Sequence, residues 1–142
     1  MLSIDFNIIK IILMSRTKKA MSEKSIVYVI QEVPGTQEGR PKINILGAKK
    51  YGEIKMLLKE DSQIIFSPGP IVFKLKKLLK DFSQDDYLLL TGDPAIIGVA
   101  CSVVSDLTGG QYKLLKWDKQ ERQYYPIELN IYNKGDNNYD EH

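Results

Sequence analysis

Residues 87–94, with the sequence YLLLTGDP, contain the pattern that decides the fold. The first five form a short and mostly apolar run, which is typical of a central strand covered on both faces. Gly92 follows at once. Aspartate is a preferred N-cap residue and proline fits the first position of a helix, so Asp93 and Pro94 predict a helix start. The stretch therefore predicts a strand, a tight turn and a helix in direct succession.

This helix is expected to run from Pro94 to about Leu107, where Gly109-Gly110 ends it. Its residues are apolar on nearly every side, which predicts substantial burial. The next run, Tyr112 to Trp117 (YKLLKW), has the composition of a strand. Residues 86–117 thus predict a strand–helix–strand crossover, in which the two strands are parallel and the connection is right-handed.

Further segments extend this unit towards the N-terminus. Residues 26–30 (IVYVI) predict a buried strand, and residues 42–46 (KINIL) alternate as a half-buried strand does. The two together predict an N-terminal hairpin with a long loop. Residues 53–58 (EIKMLL) fit a strand better than a helix, because the turn residues around them leave little room. Residues 71–82 place apolar side chains at helical spacing after Pro70, which predicts a second, amphipathic helix.

A last strand is predicted over Gln123 to Tyr132, after the polar turn at 118–122. Pro126 cannot donate to a strand ladder, which places this strand at an edge of the sheet. Together the segments predict an α/β protein, with α+β as the alternative class. The expected architecture is a single mixed sheet of five or six strands with a central parallel β-α-β unit, two helices, and hairpins at the N- and C-terminal ends.

The body is expected to be one domain over residues 25–132. Residues 1–24 carry five basic residues against two acidic ones, and we expect a basic, flexible extension there. The alternative is that translation begins at Met14 or Met21 rather than at the first residue. Residues 133–142 are expected to form an acidic, disordered tail.

Composition excludes several function classes. The only histidine is His142 and the only cysteine is Cys101, which leaves no Ser–His–Asp triad, no His–Cys zinc site and no intramolecular disulfide. A formal net charge of +2 is too small for a general polyanion binder. The apolar runs are too short to span a bilayer, and no secretion signal is recognised. We therefore expect a cytoplasmic protein without a metal site or cofactor. The scarcity of catalytic side chains favours a non-enzymatic function.

Gly92 and Asp93 form the first candidate site. In open α/β sheets, ligands bind beyond the carboxyl ends of parallel strands and beside helix N-termini, so the position of this loop favours a ligand site. Its composition favours a structural corner. The loop has neither the spaced glycines of a dinucleotide fingerprint nor the Gly-Lys-Ser/Thr of a P-loop, and the Asp93 carboxylate would occupy the place of a phosphate. Both interpretations remain open.

A second candidate surface lies on the C-terminal hairpin, where cations and aromatic residues are interleaved. Its members are Lys113, Lys116, Trp117, Lys119, Arg122 and Tyr124. Such a set can bind single-stranded nucleic acid through phosphate contacts and base stacking. It suits a protein partner equally well, since aromatic residues are enriched in binding hot spots. An ordinary solvated hairpin would also have this composition.

Three stretches of the chain are distinctive when taken together. They are YGEI at 51–54 with Leu57-Leu58, DYLLLTGDP at 86–94 with Ile97-Gly98, and LLKWD at 114–118 with YYP at 124–126. They resemble a group of small proteins from bacteriophage and bacterial genomes to which no activity is assigned, and the resemblance covers residues 26–132. It implies a phage-encoded or bacterial cytoplasmic protein and supplies no catalytic residue.

The leading hypothesis is a non-catalytic interaction or accessory module that acts on a protein complex, with another protein as its partner. The first alternative is an accessory protein that binds single-stranded nucleic acid through the C-terminal hairpin. The second alternative is a small ligand-binding protein or enzyme centred on the loop at Gly92, Asp93 and Pro94. The sequence leaves the identity of the partner and the oligomeric state open.

Overall fold

A computed structural model of the chain describes residues 25–33 and 45–133. The expected extension at 1–24 and nearly all of the expected tail at 133–142 lie outside these ranges. The described elements are, in chain order, β1 (Ile26–Gln31), a 3-10 helix (Ile45–Tyr51), β2 (Glu53–Leu58), α1 (Gly69–Leu78), β3 (Tyr87–Leu89), α2 (Pro94–Thr108), β4 (Gln111–Asp118) and β5 (Gln123–Asn130).

The strands form one five-stranded sheet in the order β2-β1-β3-β4-β5. The pairs β1–β2, β1–β3 and β3–β4 are parallel, and β4–β5 is antiparallel. The mixed α/β class is therefore confirmed, together with the parallel β3–α2–β4 unit and the C-terminal hairpin. Pro126 lies on β5, which is an edge strand of this sheet as its proline predicts.

The expected N-terminal hairpin is not part of this sheet. Both edges of β1 are occupied by parallel partners, β2 on one side and β3 on the other. Of the expected second strand, Ile45 and Leu46 lie in the 3-10 helix, and residues 42–44 lie outside the described ranges. The alternation in residues 42–46 predicted a half-buried strand that would pair with β1. In the fold, however, β1 is buried on both faces of the sheet. A strand of that kind takes its partners from the crossover units of a parallel sheet rather than from a hairpin.

Two apolar layers cover the sheet, one on each face. On the first face, α1 and α2 pack their buried residues, among them Leu75, Ile96 and Ala100, against Tyr28 and Ile30 of β1. On the second face, Ala48 of the 3-10 helix belongs to a cluster with Val27, Val29, Leu89 and Leu115. Because side chains alternate along a strand, β1 supplies core residues to both layers.

Both predicted helices are present. The Asp93 carboxylate caps α2 by accepting hydrogen bonds from the backbone N–H of Ala95 at 2.7 Å and of Ile96 at 3.4 Å, and Gly109 ends the helix in the left-handed conformation at φ 64°. The burial of α2 is less than expected, since Ala95, Gly98 and Ser102 are exposed along its outer side. No helix of the described residues is long and apolar enough to cross a membrane.

Candidate functional site

The topology places a switch point between β1 and β3. From β1 the chain leads to β2 on one side of it, whereas β3 and β4 lie on the other side. In open α/β sheets, this reversal opens a crevice at the carboxyl ends of the strands, where ligands bind. A crevice of about 400 Å³ is found there. It is lined in part by Gln31, Glu32, Glu60, Thr91, Gly92 and Asp93.

The side chain of Gln31, the last residue of β1, binds the loops on both sides of this crevice. It is 3 % exposed. Its Nε2 group donates to the carbonyl oxygens of Lys59 at 3.0 Å, Glu60 at 3.2 Å and Ser62 at 2.9 Å. Its Oε1 atom accepts a hydrogen bond from the backbone N–H of Asp93 at 2.9 Å. One amide group therefore connects the turn after β2 with the loop after β3.

The loop after β3 is held against Gln31 by two further contacts. The Thr91 hydroxyl donates to the Gln31 carbonyl oxygen at 2.7 Å and accepts from the Gln31 N–H at 3.3 Å. Gly92 has a φ of 105°, and a Cβ atom on it would stand only 2.5 Å from the Cβ of Gln31. Glycine is required here both by the left-handed backbone and by the close approach of the Gln31 side chain.

The electrostatics of the crevice are unfavourable to phosphate. Three carboxylates line it, those of Glu32, Glu60 and Asp93. The Asp93 carboxylate already accepts hydrogen bonds from the first free N–H groups of α2. These are the groups that would otherwise bind an anion at a helix N-terminus. Among residues 25–33 and 45–133, no cluster of three or more His, Cys, Asp or Glu side chains is arranged to hold a metal ion. Ligand binding at Gly92 and Asp93 stays a prediction.

Cys101 is half-buried on α2. Burial raises the pKa of its thiol, which keeps the group protonated at neutral pH. A nucleophilic cysteine needs the opposite shift, so this environment favours a packing role.

The second candidate set is divided between the two faces of the C-terminal hairpin. Strand alternation and register place Lys113, Trp117 and Tyr124 on the face of the 3-10 helix, and Lys116 on the face of the α-helices. Lys119 and Arg122 lie in the turn between β4 and β5. The six residues therefore do not share one face.

Several of these side chains are engaged within the protein. Tyr124 is 2 % exposed, and its ring packs edge-on against Trp117 with the ring centroids 4.9 Å apart. The Lys113 ammonium lies 5.0 Å from the centre of the Tyr87 ring, a distance that permits a cation–π contact. A ring that stacks on a nucleobase must be exposed. The exposed ring of this hairpin is Tyr125, directly opposite Lys116 on the other strand.

A second concave surface lies between the two α-helices. We call it the helix groove. It has a volume of about 790 Å³, and its lining includes Val72, Lys76, Gly98, Val99, Ser102 and Leu107. Leu107, which is 45 % exposed, lines the groove together with the partly buried Val72 and Val99.

The helix groove could not be recognised from the sequence. The pattern indicated only that α2 is apolar on nearly every side and that α1 is amphipathic. One signal was present, because Gly98 lies inside a helix where alanine is the better helix former. The spacing of Ala95, Gly98 and Ser102 also places small residues on one side of α2.

Comparison with known proteins supports the resemblance noted in the sequence. A family model described as Phage Pam3 gp32-like protein matches residues 25–131, which is most of the chain. No significant match is found among curated proteins or among solved structures. The matched range includes every described strand and helix. The chain therefore belongs to the Phage Pam3 gp32-like protein family.

Proposed function

We propose that this protein is a non-catalytic accessory module, encoded by a phage, that acts in the host cytoplasm by binding another protein. The main support is the contact made by Gln31 at the switch point. In related topologies a substrate or cofactor would lie between these strand ends, but here an amide side chain bridges the two loops with four hydrogen bonds.

The two concave surfaces differ in the ligand that each would accept. The switch-point crevice is bounded by carboxylates and by backbone groups that already have hydrogen-bond partners. The helix groove is larger and is lined by valine and leucine side chains and small residues, together with the charged residues Lys76 and Asp106. Apolar concavities of this kind are the usual docking sites for a helix or a side chain of another protein.

The test is affinity capture of the tagged full chain from its native host, with and without nuclease treatment. We expect the same protein to be enriched in repeated captures and retained after nuclease. In parallel, thermal unfolding would be followed with a panel of nucleotides and small metabolites, because a ligand of the native state must raise the unfolding temperature. A metabolite that raises this temperature while no protein is retained would refute the proposal.

Binding of single-stranded nucleic acid is the second candidate function, and one observation favours it. Lys116 and the exposed Tyr125 lie directly opposite each other, and the turn beside them carries Lys119 and Arg122. A cation next to an accessible ring can contact a phosphate and a base together. Electrophoretic shifts with single-stranded DNA and RNA would test this function. The expected binding weakens with salt and is lost on combining Tyr125→Ala with Lys116→Ala, whereas no shift at low salt excludes it.

A further inference from the structure

We infer that the outer edge of β2 binds an extended segment of the partner protein, which adds a sixth strand to the sheet. The inference rests on the proposed function, since it names a binding surface besides the helix groove and the chemistry of the partner. Strand addition of this kind supplies main-chain hydrogen bonds for affinity and alternate side-chain positions for specificity. Three features of β2 carry it: backbone groups that point outward, ends that are held in place, and a lysine that is turned away from the edge.

The N–H and C=O groups on one side of β2 point away from the sheet. β2 comes first in the strand order, so it has β1 as a neighbour on one side only. The Glu53 N–H donates to the Ser25 carbonyl oxygen at 3.0 Å and is therefore directed towards β1. Because successive backbone groups of a strand are directed to opposite edges, those of Ile54 and Met56 point outward. No strand in the described part of the chain pairs with them.

Both ends of β2 are held in place. At its start, Gly52 lies so close to the residue before β1 that a Cβ atom on it would overlap the Ser25 carbonyl oxygen. After its end, the Gln31 amide binds the carbonyl oxygens of Lys59 and Glu60. The edge is thus preorganised, which lowers the entropic cost of adding a strand.

The two edges of the sheet differ in their protection. Proteins guard exposed edges with proline or lysine, because an open edge favours pairing with another chain. Pro126 lies on β5 and guards that edge. β2 has no proline, and its Lys55 ammonium lies 5.4 Å from the centre of the Tyr28 ring on the adjacent strand. This lysine therefore reaches back over the sheet rather than past its edge.

The side chains of β2 define the partner segment. Ile54 and Met56 lie on the face of the 3-10 helix, where Ile54 packs against the apolar cluster and Met56 is 41 % exposed. Glu53 and Lys55 lie on the opposite face and are exposed. A strand beside β2 would therefore place apolar side chains on the first face and polar or charged ones on the second. The expected partner segment alternates apolar and polar residues along the six residues of β2.

The first experiment compares two proline variants of the tagged full chain in captures from the native host. Met56→Pro removes an outward N–H of β2 and leaves the hydrogen bonds to β1 in place. Glu128→Pro is the matched control on β5. The Ile131 N–H donates to Gly110, so the N–H of Glu128, three residues earlier, points outward on the guarded edge.

We expect capture of the partner to be lost with Met56→Pro and kept with Glu128→Pro. Circular dichroism verifies that both variants fold. Equal capture by the two variants would overturn the inference.

The second experiment needs no substitution. Synthetic peptides that tile the captured protein are added to the purified full chain, and amide hydrogen exchange is followed. We expect a peptide of alternating pattern to bind and to slow exchange at Ile54 and Met56 by about tenfold. Exchange at Lys55, whose N–H is directed towards β1, should change little. Slowing along the helix groove but not at β2 would overturn the inference, as would slowing at β2 without peptide in a dimer detected by light scattering.

These results separate the inference from the proposed function. If a protein is captured and Met56→Pro retains it, the binding function stands and the edge assignment fails. If the chain captures no protein at all, both fail.

Discussion

At the scale of single residues, Gln31 has the largest structural role at the switch point. An amide NH₂ group has two hydrogens, yet the Gln31 Nε2 lies within hydrogen-bond distance of three carbonyl oxygens. At least one of these contacts must therefore be shared. Its Oε1 atom accepts a hydrogen bond from the backbone N–H of Asp93, so hydrogen bonds define the orientation of the amide at both ends. No other natural side chain of this length supplies donors and an acceptor in the same arrangement.

Gln31→Glu is expected to destabilise the protein by about 3 kcal/mol. The substitution preserves the shape of the side chain but replaces the donor group by an oxygen that faces three carbonyl oxygens in a buried place. Urea unfolding followed by circular dichroism measures the loss. Gln111→Glu is the matched control, because Gln111 is exposed, and it should change stability by less than about 0.5 kcal/mol. A Gln31→Glu protein as stable as this control would show that the amide contacts do not hold the loops.

Tyr124→Phe is expected to stabilise the protein by about 1 kcal/mol. Within the described residues, the buried Tyr124 hydroxyl has no hydrogen-bond partner, so removing it relieves a desolvation cost. Tyr51→Phe should act in the opposite direction by a similar amount, because the Tyr51 hydroxyl donates to the Tyr124 carbonyl oxygen at 2.8 Å. Thermal and urea unfolding of the two variants measure the difference. Destabilisation by both changes would mean that the Tyr124 hydroxyl has a partner after all.

At the scale of elements, the ends of the helices could be predicted because their signals are local. Asp93 and Pro94 start α2 and Gly109 ends it, and the backbone groups bound by Asp93 and Gly109 are at most four residues away. The role of Gln31 could not be predicted in this way. Its partners Lys59, Glu60, Ser62 and Asp93 are 28 to 62 positions away, and only the strand order brings them together.

Strand partners were harder to predict than strands. The runs that became β1, β3, β4 and β5 have the composition of a strand, and residues 53–58 were assigned from the turn residues around them. Neither signal identifies the neighbouring strand. The N-terminal hairpin was expected because residues 26–30 and 42–46 are successive in sequence. In the fold, β1 pairs with β2 and β3 across longer connections, which is favoured when a strand must be covered on both faces. The hairpin of β4 and β5 was predictable, since a short polar turn joins them.

The candidate surfaces also depend on tertiary contacts that the sequence pattern does not identify. Periodicity indicated that Tyr124 and Trp117 lie on a hairpin, but it could not show that their rings pack on each other rather than towards solvent. The helix groove depends on how α1 and α2 lie side by side on the sheet. This arrangement is tertiary, so the sequence of either helix alone describes only an apolar side and a polar side.

Gly98→Ala is expected to stabilise the protein by about 0.5–1 kcal/mol, through the better helix propensity of alanine and a smaller entropy of the unfolded chain. The added methyl group meets no described atom within 4 Å, so no packing cost opposes the gain. Urea unfolding measures it. Gly92→Ala is the contrasting variant. It should destabilise the protein by more than about 2 kcal/mol, because its φ is 105° and the new Cβ would overlap the Gln31 side chain. Two variants with equal stability would contradict both assignments.

At the scale of the whole molecule, each face of the sheet holds a tyrosine that is at most 2 % exposed, and Tyr112, which is 7 % exposed, also lies on the face of the α-helices. Tyr28 lies on the face of the α-helices, where its ring centroid is 5.2 Å from that of Phe82. Tyr124 lies on the opposite face, beside Trp117. Both of these tyrosine side chains are therefore buried, at 1–2 % exposed. The stability of the whole fold is therefore coupled to the protonation of these two side chains.

Burial raises the pKa of Tyr28 to about 12, with the negative charges of Asp86 and Asp81 adding to the effect. Burial likewise raises the pKa of Tyr124 to about 12. In the unfolded chain both ionise near the ordinary value of about 10. Below about pH 10 both states keep these protons, and the contribution to stability is complete. Between about pH 10 and 12 the unfolded state releases protons that the folded state retains, so stability should fall as pH rises.

The combination of Tyr28→Phe and Tyr124→Phe isolates this contribution, because it removes both phenols and keeps both rings. Urea unfolding across the alkaline range is expected to give a shallower loss of stability in this variant than in the original protein. Tyr132→Phe is the control, since Tyr132 is 75 % exposed, and it should leave the slope unchanged. All three proteins have the same lysines, so any difference in slope belongs to the substituted tyrosines. Identical slopes in the double variant and the original would show that the alkaline loss arises from other groups.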